Sequence, residues 1–253
     1  MSWLDSVVAV PLIGAEILLP LKIAANKGQH FAPFLDYFSS KGGANIKDQA
    51  KLFVGRDELG REALKVRSSG YYVDLADERL TSGFNYEVPV VKKGGFPSWV
   101  IPEMQPFTKL LEVSMQNLTE AAKMLDRQQA MFGFIGFVAF AEMDPEVLPP
   151  GVERFLQHLG DLWDGILELQ VERLTCKLSE DEFSTRRCHH SLKFNKAKPE
   201  DGFSLRIDWQ NVFKEKIPFV VKEFTPKLEE CKKAFLEYCE RFGEGNLNYD
   251  DKQ

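Results

Sequence analysis

The feature that most constrains this chain is the run Met131-Phe132-Gly133-Phe134-Ile135-Gly136-Phe137-Val138-Ala139-Phe140, in which no side chain is polar. A segment apolar on every side persists in water only when it is covered on every side. The chain must therefore build a folded body around this run, and 253 residues suffice for that without disulfides or metal. Upstream, Phe107, Leu111, Leu118, Ala122 and Leu125 recur at helical spacing, with Lys109, Glu112, Gln116, Glu120, Lys123 and Arg127 on the opposite side. The expectation is one long helix from Gln105 to Met143, amphipathic at first and buried at its end, stopped by Asp144-Pro145 and Pro149-Pro150-Gly151. Each glycine inside it lowers helix stability by about 1 kcal/mol against alanine. Gly133 and Gly136 are thus expected to mark a close helix approach, a segment that changes conformation, or a ligand-lining surface.

A second apolar segment spans Trp3 to Ala25, with Val7-Val8-Ala9-Val10 and Ile17-Leu18-Leu19 interrupted by Pro11 and Pro20. A membrane-spanning helix needs about 20 mainly apolar residues. Glu16 near its centre would cost about 2.5 kcal/mol or more on insertion, and the prolines break backbone bonding. A broken helix is expected here, in the core, at a partner interface or lying on a membrane.

The remaining pattern is assigned as follows. Phe31, Phe34, Leu35 and Phe38 suggest a helix ended by Lys41-Gly42-Gly43, and Asn45 to Val54 a short helix. Ala63 to Val91 is β-prone, with turns at Ser68-Ser69-Gly70 and Thr81-Ser82-Gly83. A second amphipathic helix is expected over Val152 to Leu178. Residues 179–203 look irregular, with a strand near Ser191 to Phe194. A last helical region is expected from Asp208 or Trp209, restarting with Thr225 as N-cap and Pro226 in the first turn, and ending at Gly243. The predicted fold class is mainly α (α+β): a helical bundle with a small inserted β element. Residues 1–245 would form one domain with the β insertion around 63–91, followed by a disordered tail over 246–253.

Charge and cysteine content narrow the setting. The net charge of −6 disfavours nucleic acid as a main partner. Four cysteines do not make a disulfide scaffold, and the start lacks the basic region of a secretory signal. The expected location is intracellular and cytoplasmic, with membrane association compatible with the apolar segments. Asn117-Leu118-Thr119 matches a glycosylation sequon but falls inside a predicted helix.

Motifs that announce common chemistries are absent. There is no phosphate-cradling G-x-x-x-x-G-K-[ST], no G-x-S-x-G elbow, no H-E-x-x-H, and no Glu three residues before His30, His158, His189 or His190. Cys188-His189-His190 with Cys176 has zinc's preferred donor types, but adjacent side chains diverge and C-x₂₋₄-C spacing is lacking. A polar loop is the expected reading. His158, Asp161, Asp164 and Glu168 share one helical face and read as a solvated side, as do the basic doublets Lys92-Lys93 and Arg186-Arg187. Cys231 and Cys239 are assigned to a helix core.

Twenty phenylalanines are more than one interior is expected to require, and they carry the functional expectation. It is a non-enzymatic protein that binds a hydrophobic partner (lipid, membrane or apolar ligand), through Leu12, Ile13, Ile17, Leu18, Phe132, Phe134, Ile135 and Phe137. The alternative is a protein–protein interaction or self-assembly module. An enzyme with a site assembled from scattered residues ranks third. No catalytic residue, metal ligand or cofactor is assigned.

Overall fold

The computed structural model describes residues 2–29, 32–34, 51–56, 62–68, 70–86, 88–91, 97–100, 104–126, 128–144, 148–157, 168–195 and 203–246. Its centre is a nine-stranded, wholly antiparallel sheet rather than a helical bundle. The strands are β1 (Val8–Leu18), β2 (Lys51–Arg56), β3 (Glu62–Ser68), β4 (Tyr71–Ala76), β5 (Arg79–Phe84), β8 (Met131–Met143), β9 (Glu168–Glu180), β10 (Ser184–Asn195) and β11 (Phe203–Pro218). Their spatial order is β2-β3-β4-β5-β1-β8-β11-β10-β9. A separate hairpin joins β6 (Val88–Val91) and β7 (Pro97–Val100). The helices whose bounds are described are α1 (Leu21–Ala24), α2 (Phe107–Lys123), α3 (Pro150–Gln157) and α4 (Val221–Gly243), with further helical residues at 27–29 and 32–34 and a 3₁₀ turn at Trp3–Ser6.

The two most apolar segments, expected as helices, are strands. Residues 131–143 form β8 and residues 8–18 form β1, and the two pair along their whole length. Ile135, Phe137 and Ala139 point into the helix-covered core while Val138, on the other face, is also buried. A strand with apolar side chains on both faces loses the alternation that would reveal it, and a short apolar run then looks the same as a buried helix. The β-branched and aromatic content, with two glycines, favours the strand.

Other expected helices give way for the same reason or for missed alternation. Residues 51–56 are strand rather than the end of a short helix, residues 168–180 are β9, and residues 203–218 are β11. In β11, Phe203, Leu205, Ile207, Trp209 and Asn211 are buried, with Ser204, Arg206, Asp208 and Gln210 between them on the other face. That is a period of two. Within the segment expected to be irregular, β10 occupies Ser184–Asn195 and holds Arg186-Arg187, while residues 196–202 lie outside the described residues. The strands expected within 63–91 are present; β3, β4 and β5 belong to the main sheet rather than to an insertion, and β6 pairs with β7 in the separate hairpin. The 107–123 helix is as expected. The last helix begins at Val221, which leaves Pro226 inside it rather than in its first turn. The expected helix over 31–38 is described only at 32–34, and the expected helix residues 158–167, the loop 92–96 and the tail beyond Asn246 lie outside the described residues.

The order of strands repeats one course twice. A long strand (β1 or β8) is followed by a meander whose last strand (β5 or β11) returns to pair with it, and then by a long helix (α2 or α4) on the same face. The two courses meet where β1 pairs with β8. Their long helices are also started alike. Asp5 Oδ1 accepts from Thr108 N at 2.9 Å at the head of α2, and Asp126 Oδ1 accepts from Val221 N at 3.1 Å at the head of α4. Each carboxylate satisfies an otherwise orphan amide and opposes the positive helix end.

α2 and α4 cover one face of the sheet, and α3 packs on α4. The core between is aromatic. Phe137 stacks on Phe235 with centroids 5.4 Å apart, and Phe132 meets Phe213, Phe219 and Phe224 edge-on. Trp3 donates from Nε1 to the Cys239 carbonyl at 2.8 Å and lies against Gly243. The surplus of phenylalanine is thereby largely used up inside the protein.

Candidate functional site

Among the described residues, the long helices cover one face of the sheet. On the other, alternation alone places Gly14 and Glu16 of β1, Arg79 of β5, Phe134, Gly136 and Val138 of β8, Arg206, Asp208, Gln210 and Val212 of β11, and Arg187, His189 and Ser191 of β10 on one side. Together with Glu78, Glu172 and Arg173 they line a cavity of about 530 Å³. A smaller cavity of about 370 Å³ continues from it past Phe140, Gln170 and Lys193.

The floor is bare backbone. Gly14 and Gly136 are directly opposite in the β1–β8 ladder. The guanidinium of Arg79 rests on Gly14: a Cβ there would lie 3.1 Å from Nη2 and 3.3 Å from Nε. The ring of Phe134 folds over Gly136, whose Cβ would lie 2.6 Å from Cζ. The two glycines are thus what lets an arginine and a phenylalanine lie flat on the sheet. Beside them Leu12 and Val138 pair across the strands and are 1% and 4% exposed, a small apolar patch outside the main core.

The charges around this floor are unevenly matched. Asp208 accepts from Arg206 Nη2 at 3.0 Å and from Gln210 Nε2 at 2.9 Å, and Arg206 also lies 5.1 Å above the Phe140 ring. Glu16 meets Lys216 at 3.5 Å. Arg79, Arg173 and Arg187, by contrast, have no carboxylate within 4.0 Å among the described residues, and Arg79 Nε is buried without a hydrogen-bond acceptor. Farther along the same face, Lys65 is fully answered by Asp74 at 2.7 Å.

His189 fixes one wall. Arg173 Nη2 approaches its Nε2 at 2.9 Å, Arg173 Nε approaches Nδ1 at 3.2 Å, and Thr175 Oγ1 lies 2.8 Å from Nδ1. A guanidinium only donates, so the ring meets Arg173 through an acceptor nitrogen, which only a neutral imidazole has. Burial and then the Arg173 charge hold the imidazole below its usual range, so it stays neutral and leaves Arg173 positively charged. The next residue faces the other way. His190 is buried among the helices, hydrogen-bonded to Tyr238 Oη at 2.9 Å and stacked on Phe242, and burial lowers it to about 4.

Sequence reasoning placed the site elsewhere. Ile13, Ile17, Phe132, Ile135 and Phe137 are fully buried against the helices, and Leu12 is buried on the other face. Only Leu18 and Phe134 of that set are partly exposed, and only Phe134 lines the cavity. The two apolar segments are brought together, but as paired strands. The Cys188-His189-His190 triplet is strand rather than loop, its side chains alternate between faces, and no three His, Cys, Asp or Glu side chains among the described residues gather as a metal would require. Glu168 opens β9, while His158, Asp161 and Asp164 lie outside the described residues. Among the described residues no helix is long and apolar enough to cross a membrane. The arginines were missed, though Arg206, Asp208 and Gln210 alternate with Leu205, Ile207 and Trp209 in plain view.

No protein-family model matches the chain, and no curated protein matches it.

Proposed function

We propose that this is a binding protein whose open sheet face takes a small organic anion with an apolar body. The observation that carries the proposal is the trio Arg79, Arg173 and Arg187 lining one cavity without carboxylate partners among the described residues. Glu16, Glu78 and Glu172 also line the cavity, but a guanidinium against a low-dielectric wall with no carboxylate in ion-pair contact favours an incoming anion, and it offers planar paired donors. Phe134, Val138, Val212 and the two glycines supply an apolar floor beside those donors. Binding of an apolar ligand, as expected from composition, is retained in this form: the apolar part sits on the floor and an acidic group on the arginines. The general-acid and nucleophile geometry of an enzyme is not part of the proposal.

Fluorescence titration with anilinonaphthalene sulfonate tests it, with N-phenylnaphthylamine as the same aromatic body lacking the acid. The sulfonate should bind at one site, and Arg187→Gln should weaken it about tenfold, the loss of one charge-assisted contact. Equal binding of the neutral compound, or an unchanged affinity in both Arg187→Gln and Arg79→Gln, would overturn the anion assignment.

A further inference from the structure

Resting on the anion-binding proposal, we infer that the ligand carries two acidic groups, one at each end of a flat apolar body laid across the strands. The register puts Thr81, Gly14, Gly136, Gln210 and Arg187 in a single row across β5, β1, β8, β11 and β10. Two cations sit on this row from opposite sides. Arg79 reaches inward from β5 and lies on Gly14, while Arg187 reaches inward from β10 and donates from Nε to Gln210 Oε1 at 2.9 Å. Their heads therefore stand over β1 and near β11, two strand spacings apart, or about 10 Å.

That separation decides the ligand class. One carboxylate cannot reach both guanidiniums, because each pair needs nitrogen and oxygen at about 3 Å. Between the two heads the row holds only Gly136, with the Phe134 ring folded over it and Val138 and Val212 to either side. Within the row no polar side chain lies between the heads, Glu16 and Asp208 lining the cavity to either side of it, so this middle suits a ring or a short planar chain rather than a sugar. Arg173 is engaged with the neutral His189 ring and stands beside the Arg187 end, which makes that end the more cationic of the two.

The test compares terephthalate, naphthalene dicarboxylate and biphenyl dicarboxylate with their monoacids, by calorimetric titration of the full chain. One diacid of matching length should bind at least tenfold tighter than its monoacid. Arg79→Gln and Arg187→Gln should each erase that advantage while leaving monoacid binding to the remaining arginine, and Arg79→Lys should keep part of it. Circular dichroism matched to the parent would show that the variants are folded; if either glutamine variant unfolds, the length dependence in the parent decides alone. If monoacids and diacids bind equally at every length, the two-acid inference fails and the anion site stands. If neither class binds, both fail.

Discussion

At the residue scale, burial rather than exposure explains most of the chemistry-bearing side chains. Cys188, Cys231 and Cys239 are buried, and burial raises all three thiols, Cys231 to about 12. They behave as small apolar groups in the core, and iodoacetamide at neutral pH should label Cys176 first. His190 makes a pH prediction. Burial brings it to about 4 in the folded protein against the ordinary 6.5, so the unfolded chain binds the extra proton between those limits. Stability should be level above pH 6.5 and fall as pH drops toward 4, by on the order of 3 kcal/mol from this group. Urea unfolding at pH 7 and pH 4.5 should show a smaller acid loss in His190→Gln than in the parent. An equal loss in the two would mean that another group carries it.

Gly151 gives a second residue-scale test. It lies so close to the Phe242 carbonyl that a Cβ has no room, and α3 would have to lift from α4. Gly151→Ala should lower stability by about 1–3 kcal/mol, as overpacking does, and the shift would be read from the urea midpoint. A neutral result would show that α3 is free to move on α4.

At the scale of elements, the core is held by the pairing of a strand and a helix from the second course with a strand from the first. Phe137 of β8 faces Ile13 of β1 in the ladder and stacks on Phe235 of α4. Phe235 also meets Phe107 of α2. Phe235→Ala should therefore cost about 3–5 kcal/mol, since its ring touches both long helices and the central strand. A loss under about 1 kcal/mol in chemical unfolding would argue against that packing. Elements differ in how openly the chain announced them. The 107–123 helix was legible because one face is buried and the other solvated. β8 was not, because apolar side chains cover both of its faces and erase the period. β11 was legible and missed, its two-residue alternation being outweighed by an expectation of helix that Trp209, Phe213 and Ile217 encouraged.

At the scale of the whole molecule, two similar courses share one sheet, and neither closes without the other. β1 and β8 are central strands only because they pair together; apart, each would show a long apolar edge, the kind that aggregates. Hydrogen exchange should rank the strands accordingly. Amides of β1, β8 and β11 should exchange slowest, near the global unfolding limit, and those of the edge strand β9, largely exposed along its length, should exchange earliest. Fast exchange in β8 would contradict its central place.

What the chain alone decided is the need for one large covered core, the amphipathic helix over 107–123 and the β character of 63–91. Each follows from local pattern and from the cost of leaving apolar surface in water. What only the tertiary structure decided is which strands are neighbours, and hence the cavity. Arg79, Gly14, Gly136, Gln210 and Arg187 lie far apart along the chain and become one row through ladder register. Register depends on long-range pairing, which no local spacing records.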